Sequence, residues 1–272
     1  MIQIDIQKKL HGSQGKMDLI VNQSVNRGEF VVLMGESGAG KTTLLRVLAG
    51  LEEAKGSIFV GNTEWQNNHK RVSPQQRNIG FVFQDYALFD NMSVEENLFF
   101  VNNDKALLNE LLVMTELVAL RRRNVQGLSG GQKQRVALCR AIMQKPKLLL
   151  MDEPFSALDS KMRKRLRTQL KDFHQRFDMT TVMVSHDASE MYALADRVWR
   201  MEQGKIIQEG TAHEVLSSQD EKAHYVEVLK LHNAKATVCI AGELLEVEVN
   251  NKISVGEEIK VVLQPCLYSN NK

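Results

Sequence analysis

Apolar residues recur at every second position early in the chain. Ile2–Ile6 and Leu19–Val25 read this way and predict strands with one buried and one exposed face. EFVVLM, Glu29 to Met34, is an apolar run ending at glycine and predicts a strand buried on both faces. A helix beginning near Lys41 carries Leu44, Leu45, Val47 and Leu48 and stops at Gly50; GSIFV and NIGFVF add strands. From Ser93 to Lys145 the period turns helical. SVEENLFF opens on a capping Ser with Glu96 three residues on. KALLNELLVMTEL follows, and a third helix after Ser129-Gly130-Gly131 carries Val136, Leu138, Ala141 and Ile142 on one stripe. KLLLMD is a second buried strand, followed by a basic amphipathic helix over Ser160–Phe177, the strand TTVMVS, a helix from Asp187 and a hairpin in DRVWRMEQGKIIQEG. After Tyr225 strand alternation returns, broken by Gly and Asn-Asn.

Buried strands alternating with helices predict an α/β fold with a mixed, mostly parallel sheet. The predicted domain spans residues 1–225, with a helical subdomain inserted over about 85–145, and a small β-rich appendage occupies 226–272. The 272 residues are 43% hydrophobic and 25% charged, enough apolar mass for a large core. A net charge of +2 is too small to argue for nucleic acid. Cys139, Cys239 and Cys266 lack metal-ligand spacing and read as reduced thiols, with Cys139 packed in the interior. The start MIQIDIQKKL lacks the order of a signal peptide, and no apolar run approaches the ~20 residues of a membrane span. The expectation is a chain that does not enter a membrane by itself.

GESGAGKT, Gly35 to Thr42, fits G-x-x-x-x-G-K-[ST] between a buried strand and an apolar helix, the pattern of a P-loop NTPase. Gly35, Gly38 and Gly40, with Glu36, Ser37 and Ala39 between them, let backbone N–H groups wrap a phosphate. Lys41 is placed for the β- and γ-phosphates, Thr42 for Mg²⁺, and Thr43 for a further phosphate contact. In LLLMDEP, Asp152 emerges at a strand end to hold the metal, and Glu153 beside it suits a general base toward water. Ser129-Gly130-Gly131 before a helix is a second anion site far from the first. His186 and Glu190 at i,i+4 spacing leave a metal pair open as an alternative, without a further ligand. The basic runs Arg121–Arg123 and Lys161–Arg167 lack interleaved aromatics and read as solvated surface, so nucleic acid is not expected as a partner.

GESGAGKTT, LSGGQKQRVAL, LLLMDEP, SALDS and VSHD, in this order over roughly residues 1–220, resemble the nucleotide-binding subunit of an ATP-binding cassette (ABC) transporter. The resemblance implies Mg-ATP hydrolysis in a homodimer that sandwiches ATP between the phosphate loop of one copy and the elbow of the other. It implies that Ser129, Gly130, Gly131 and Gln132 close on the partner's γ-phosphate. Gln84 would touch Mg²⁺ or the attacking water, and Asp159 would cross the interface. His186 would bond the γ-phosphate and orient Glu153. KKLHGSQG lacks the aromatic residue usual for adenine stacking and leaves Leu10 or His11 beside the base.

QDYALFDNMSVEENL is similar to the maltose, polyamine, sulfate, iron and molybdate branch of importer ATPases. It implies a permease-docking patch of Tyr86, Leu88 and Phe89, with interior packing as the competing reading. It also implies integral-membrane permease partners, indirectly a solute-binding protein, and a peripheral place on the cytoplasmic face of the inner membrane. The appendage VGEEIKVVLQPCLYS resembles part of that branch's β-rich accessory domain but carries Gln264-Pro265-Cys266 where Arg-Pro-Glu is common. A soluble ABC ATPase acting on ribosomes or DNA is the alternative. A small-molecule phosphotransferase or ligase is disfavoured by the signature helix. The cargo is not legible in a subunit that does not touch it.

Overall fold

The alternating segments at the start of the chain form an antiparallel hairpin of β1 (Ile2–Gly12) and β2 (Gly15–Val25), with Ile2, Ile4, Ile6, Leu19, Val21 and Val25 buried. The computed structural model describes residues 1–12, 15–217, 224–232, 235–240, 243–248, 254–255 and 258–261, in two units, Met1–Ala212 and His213–Lys272. In the first unit β3 (Phe30–Met34) leads to α1 (Lys41–Leu48), followed by β4 (Lys55–Val60), β5 (Thr63–Gln66) and β6 (Ile79–Val82). Three helices follow before the next strand: α2 (Val94–Phe99), α3 (Lys105–Met114) and α4 (Gly130–Met143). The chain continues through β7 (Leu148–Asp152), α5 (Ser160–Arg176), β8 (Thr180–Val184), α6 (Ala188–Leu194), β9 (Arg197–Glu202) and β10 (Lys205–Gly210).

The strands join one ten-stranded mixed sheet in the order β5-β4-β1-β2-β10-β9-β3-β8-β7-β6. From β9 to β6 all neighbours are parallel. The arm β5-β4-β1-β2 is antiparallel, and β9 and β10 form a hairpin. Two-residue connections such as Gly61-Asn62 and Gln203-Gly204 permit only antiparallel return, whereas the parallel strands need helical crossovers. That arm is the part of the sheet the apolar pattern does not foresee.

Every residue of β3, β7 and β8 is buried, as their continuous apolar text requires. Helix α1 buries Leu44, Leu45, Val47 and Leu48 in the same core as Val31, Leu33 and Trp199. Each such side chain removed from water contributes on the order of 2 kcal/mol. Helix α2 has the predicted capping box: Ser93 Oγ accepts from the Glu96 N–H at 3.3 Å while Ser93 N donates to Glu96 Oε2 at 2.7 Å.

The second unit contains β11 (His224–His232), β12 (Lys235–Ile240), β13 (Glu243–Glu248) and β14 (Glu258–Val261), an antiparallel sheet ordered β13-β12-β11-β14. Val228, Ala236 and Val238 are buried in it. Gln264-Pro265-Cys266 and the side chains of His11 and Cys239 lie outside the described residues.

The phosphate-loop helix is held at its far end by a buried cation. Arg77 Nη1 donates to the carbonyls of Val47 at 3.0 Å and Leu48 at 2.6 Å, while Nε donates to Val72 O at 3.1 Å. These carbonyls belong to the negative end of α1, so the guanidinium complements the dipole and supplies a donor to Leu48 O, while Val47 O accepts from Gly50 N as well. Burial, reinforced by nearby Arg71, brings the Arg77 pKa down to about 10, which still leaves it charged at neutral pH. Replacing Arg77 with Met removes the donor to Leu48 O and Val72 O, leaves Val47 O with Gly50 N alone, and should cost about 1–3 kcal/mol. Urea denaturation is the check, with a lower midpoint at an unchanged slope expected.

Candidate functional site

Leu33 of β3 is level with Val184 of β8, and Val184 with Asp152 of β7; Val82 of β6 is level with Met151. These parallel strands end at one edge of the sheet, where open α/β folds hold ligands. The segments leaving that edge are the loop 35–43, Ser185-His186, Asp152-Glu153 and the stretch containing Gln84.

The loop is shaped by backbone crowding. Gly35 adopts φ +149°, and a Cβ there would collide with the Met201 carbonyl oxygen, so no other residue fits. Gly40 is the N-cap of α1 and supplies no side-chain cap, which leaves first-turn N–H groups available to an anion. Lys41 Nζ donates to Gly35 O at 2.7 Å and Glu36 O at 2.8 Å, holding the ammonium inside the loop. Burial lowers its pKa, against the opposing charges of Glu153 and Asp152. Glu36, Ser37, Gly38 and Thr42 are exposed, Thr43 is half-buried, and Ala39 is buried with its carbonyl accepting from Gly204 N at 3.0 Å. A Cβ on Gly40 would lie 3.5 Å from Leu10 Cδ1 and 3.6 Å from Met17 Cε, cross-strand neighbours in the β1–β2 hairpin. Leu10 and Met17 therefore lie beside the loop.

Asp152 is buried, and its pKa is raised chiefly by that burial and further by Glu153. The Thr42 hydroxyl bonds the carboxyl group and Lys41 partly offsets the charge. A buried carboxylate that nearby cations do not fully compensate, bonded to the Thr42 hydroxyl at the sheet edge that the segment with the exposed Gln84 also leaves, offers the hard oxygen donors that Mg²⁺ takes. Among the described residues no group of three or more His, Cys, Asp or Glu could hold a metal, so an all-protein cage is not the alternative. Glu153 continues the sheet by donating its N–H to Val184 O at 3.2 Å, then reverses the chain at φ +49°. That left-handed conformation is unusual for a residue with a Cβ. Glu153 Oε1 lies 3.6 Å from His186 Nδ1, with the imidazole largely exposed. The alternative His186–Glu190 metal pair does not form. Glu190 is buried and accepts from Ser185 Oγ at 2.6 Å, whereas His186 is turned to Glu153.

The glycine elbow opens α4 and packs beside the loop that follows Glu153. Ser129 caps α4 through a reciprocal box with Gln132: Ser129 Oγ accepts from Gln132 N at 3.4 Å, and Ser129 N donates to Gln132 Oε1 at 2.9 Å. The Gln132 side chain is thereby engaged within its own helix. Ser129 and Gly130 are exposed, and no hydrogen bond or ion pair among the described residues ties 129–132 to the loop 35–43. Gly131 is packed from behind, since a Cβ there would sit 2.8 Å from the Ala157 carbonyl oxygen. Asp159 is exposed and caps α5, accepting from Met162 N at 2.9 Å.

One residue of this region was missed by the sequence reading. Gln134 is buried, donates through Nε2 to Glu153 O at 3.0 Å and Ser156 Oγ at 3.2 Å, and accepts from Ala157 N at 3.0 Å. The available signal was a polar residue in helical register with Ala137, Leu138 and Ala141. Cys139 is packed as expected: burial pushes its thiol up to about 12, far from a reactive thiolate.

Of the apolar patch, Tyr86, Leu88 and Phe89 are half-buried. Phe89 is braced by the buried Asn97 amide, at 2.9 Å to its N and 3.2 Å to its O, and its ring pairs with Phe100 at 4.5 Å. Phe100, 63% exposed, is the more accessible ring. Much of the basic run on α5 is internally satisfied, with Arg163 on Asp187 and Arg165 on Glu116.

The family profile described as ABC transporter matches residues 20–156. The sulfate/thiosulfate import ATP-binding protein CysA 1 of Agrobacterium fabrum is 49% identical over 208 residues, covering 72% of this chain and 59% of that protein. The probable sulfate/thiosulfate import ATP-binding protein CysA of Chlorella vulgaris is 46% identical over 204 residues, covering 72% and 85%. The chain thus spans less than two thirds of the length of the Agrobacterium relative. Among solved structures, the dimeric post-hydrolysis state of the ATP-binding cassette MJ0796 bound to ADP and Pi superposes with a TM-score of 0.69 at 28% identity, covering 78% of this chain and 99% of that one.

Because Asp152 is held above the ordinary carboxylate range, its ionisation opposes folding. The stability associated with its neutral form is complete in acid and is lost as pH rises through the raised native pKa. Asp152→Asn keeps an acceptor for Thr42 and should melt higher than the parent at about pH 8, with the margin narrowing toward acid. Thermal denaturation across pH is the check; a parent that melts no lower than the variant at about pH 8 contradicts the assignment.

Proposed function

The chain belongs to the ABC transporter family, and from that membership we propose that it is the ATP-hydrolysing subunit of an importer, working as a homodimer beneath separate permease subunits. The observation that carries the reading is the division of the phosphate chemistry. The loop 35–43, Asp152 and Glu153 leave one sheet edge, while the Ser129 elbow, a second helix start suited to an anion, is exposed and carries no hydrogen bond to that loop among the described residues. Each half lacks what the other supplies, and two-fold association of two copies satisfies both at once.

In this reading the backbone N–H groups of residues 36–42 and the Lys41 ammonium hold the triphosphate, with Thr43 adding a contact. The adenine rests on the aliphatic pair Leu10 and Met17 in place of an aromatic ring. Thr42, Asp152 and Gln84 would hold Mg²⁺, which when bound neutralises charge on the β- and γ-phosphates. Glu153 takes a proton from water as its oxygen attacks the terminal phosphorus and the bond to ADP breaks. His186 hydrogen-bonds the γ-phosphate and orients Glu153. From the partner copy, the Ser129 hydroxyl and the N–H groups of Gly130 and Gly131 donate to the same phosphate, with Gln132 holding Ser129 through the capping box and Asp159 reaching across the interface.

The surface made by Tyr86, Leu88, Phe89 and Phe100 is the proposed seat of the permease. No helix among the described residues is long and apolar enough to cross a membrane, and the proposed location is peripheral, on the cytoplasmic face of the inner membrane. The relatives' names support sulfate-class oxyanions as the cargo, delivered by a solute-binding protein. The division at 212–213 and the separate four-stranded sheet beyond it support a cassette followed by an accessory β unit.

Glu153→Gln should bind ATP, lose turnover by about a hundredfold or more, and accumulate as a nucleotide-bound dimer. Phosphate release and light scattering measure this, and wild-type turnover in the variant removes Glu153 from the base role. Ser129→Arg places a bulky cation on the elbow and should leave ATP binding by the single chain intact while abolishing ATP-driven dimerisation. Sedimentation with and without ATP is the check, and an intact ATP-driven dimer refutes the shared site.

A further inference from the structure

Glu153 is held from an unexpected direction. Its backbone turns left-handed at φ +49°, and its carbonyl accepts from Gln134 Nε2 at 3.0 Å and from Ser156 Oγ at 3.1 Å. Gln134 uses the rest of its amide as well, donating to Ser156 Oγ and accepting from Ala157 N at 3.0 Å. A buried side-chain amide with both ends satisfied by one loop fixes that loop against its helix, because any shift strands a buried polar group. The helix is α4, and Gln134 lies just beyond the first turn that Ser129 caps. The same loop closes on Gly131 through the Ala157 carbonyl, where a Cβ would not fit.

We propose that Gln134 is a positioning residue that holds the Glu153 carboxylate in its working orientation, and holds it from the helix that bears the glycine elbow. The inference rests on the general-base reading of Glu153 given above. In a dimer each chain offers Glu153 to one nucleotide and Ser129 to the other. Gln134 then joins the two within a chain, so closure of the elbow on one nucleotide acts on the base at the second. No such link follows from the Lys41 loop, which carries no hydrogen bond to α4 among the described residues.

The test uses the full chain with Gln134→Glu, Gln134→Leu and Glu153→Gln side by side. Gln134→Glu keeps an acceptor for Ala157 N but turns a carboxylate oxygen toward Glu153 O and Ser156 Oγ in place of the donor; Gln134→Leu removes both ends. Affinity for a fluorescent ATP analogue should stay within about twofold in both Gln134 variants, while kcat falls on the order of tenfold to a hundredfold with KM little changed. The Hill slope for ATP in hydrolysis should fall toward one. All variants are compared at a temperature at which circular dichroism shows each fully folded, which separates positioning from packing. Turnover within twofold of the parent in both variants overturns the proposal. So does a loss that tracks a lowered melting temperature and is recovered on cooling. Abolished turnover in Glu153→Gln with none lost in the Gln134 variants defeats this inference alone, whereas wild-type turnover in Glu153→Gln defeats the functional reading together with it.

Discussion

The level pairing of Leu33, Val184 and Asp152 across β3, β8 and β7 is the constraint on which the rest of the molecule depends. Every residue of those strands is buried, so both faces of the ribbon are fixed by side-chain packing as well as by the ladder. A one-residue slip in any of them would turn its side chains to the opposite faces of the core. With register locked, the three strands stop together, and the polar groups that follow them have one place to go. The phosphate loop, the two carboxylates and His186 meet at that edge because the apolar strands beneath leave them no other.

The charges gathered there are uneven. Lys41 faces two carboxylates, and burial opposes the charged form of both Lys41 and Asp152. The crowded backbone at Gly35 and the left-handed turn at Glu153 add conformations that an unconstrained chain avoids. Elsewhere several charged side chains are paired with one another. Arg163 lies 2.8 Å from Asp187, Arg176 lies 2.6 Å from Glu110, and Arg121 is paired with Glu95. Exposed pairs of this kind contribute little stability each, typically about 0–1 kcal/mol. What they do is occupy Arg163 and Arg176 on α5 and Arg121 beyond α3.

The segment 153–159 connects the parts. It begins with the proposed base, is gripped by Gln134, presses its Ala157 carbonyl on Gly131, and ends in Asp159, which caps α5. Its turns are built from hydrogen bonds between neighbours, such as Ser156 Oγ to Glu153 O, and from the buried ring of Phe155. A segment tied at so many points moves as a body, so a displacement of α4 is felt at the carboxylate. Glycine at 131 thus has a packing reason in addition to its place in an anion site.

The α/β class, the buried strands, the capped helices and the residues of the candidate site were legible in the linear text, because each rests on local chemistry. Periodicity marks a buried strand, Ser-x-x-Glu marks a helix start, and a glycine-rich turn with Lys41 marks a phosphate cradle wherever it is folded. What the tertiary structure alone decided are relations between distant segments. The antiparallel arm, the Arg77 clamp on α1 and the Gln134 bridge to Glu153 each join residues far apart in the chain. It also decided a reading that local text left open, placing Glu190 on Ser185 and His186 on Glu153. A hydrogen bond carries no sequence period, and a buried glutamine or arginine looks like any surface polar residue until the backbone it satisfies has been folded against it.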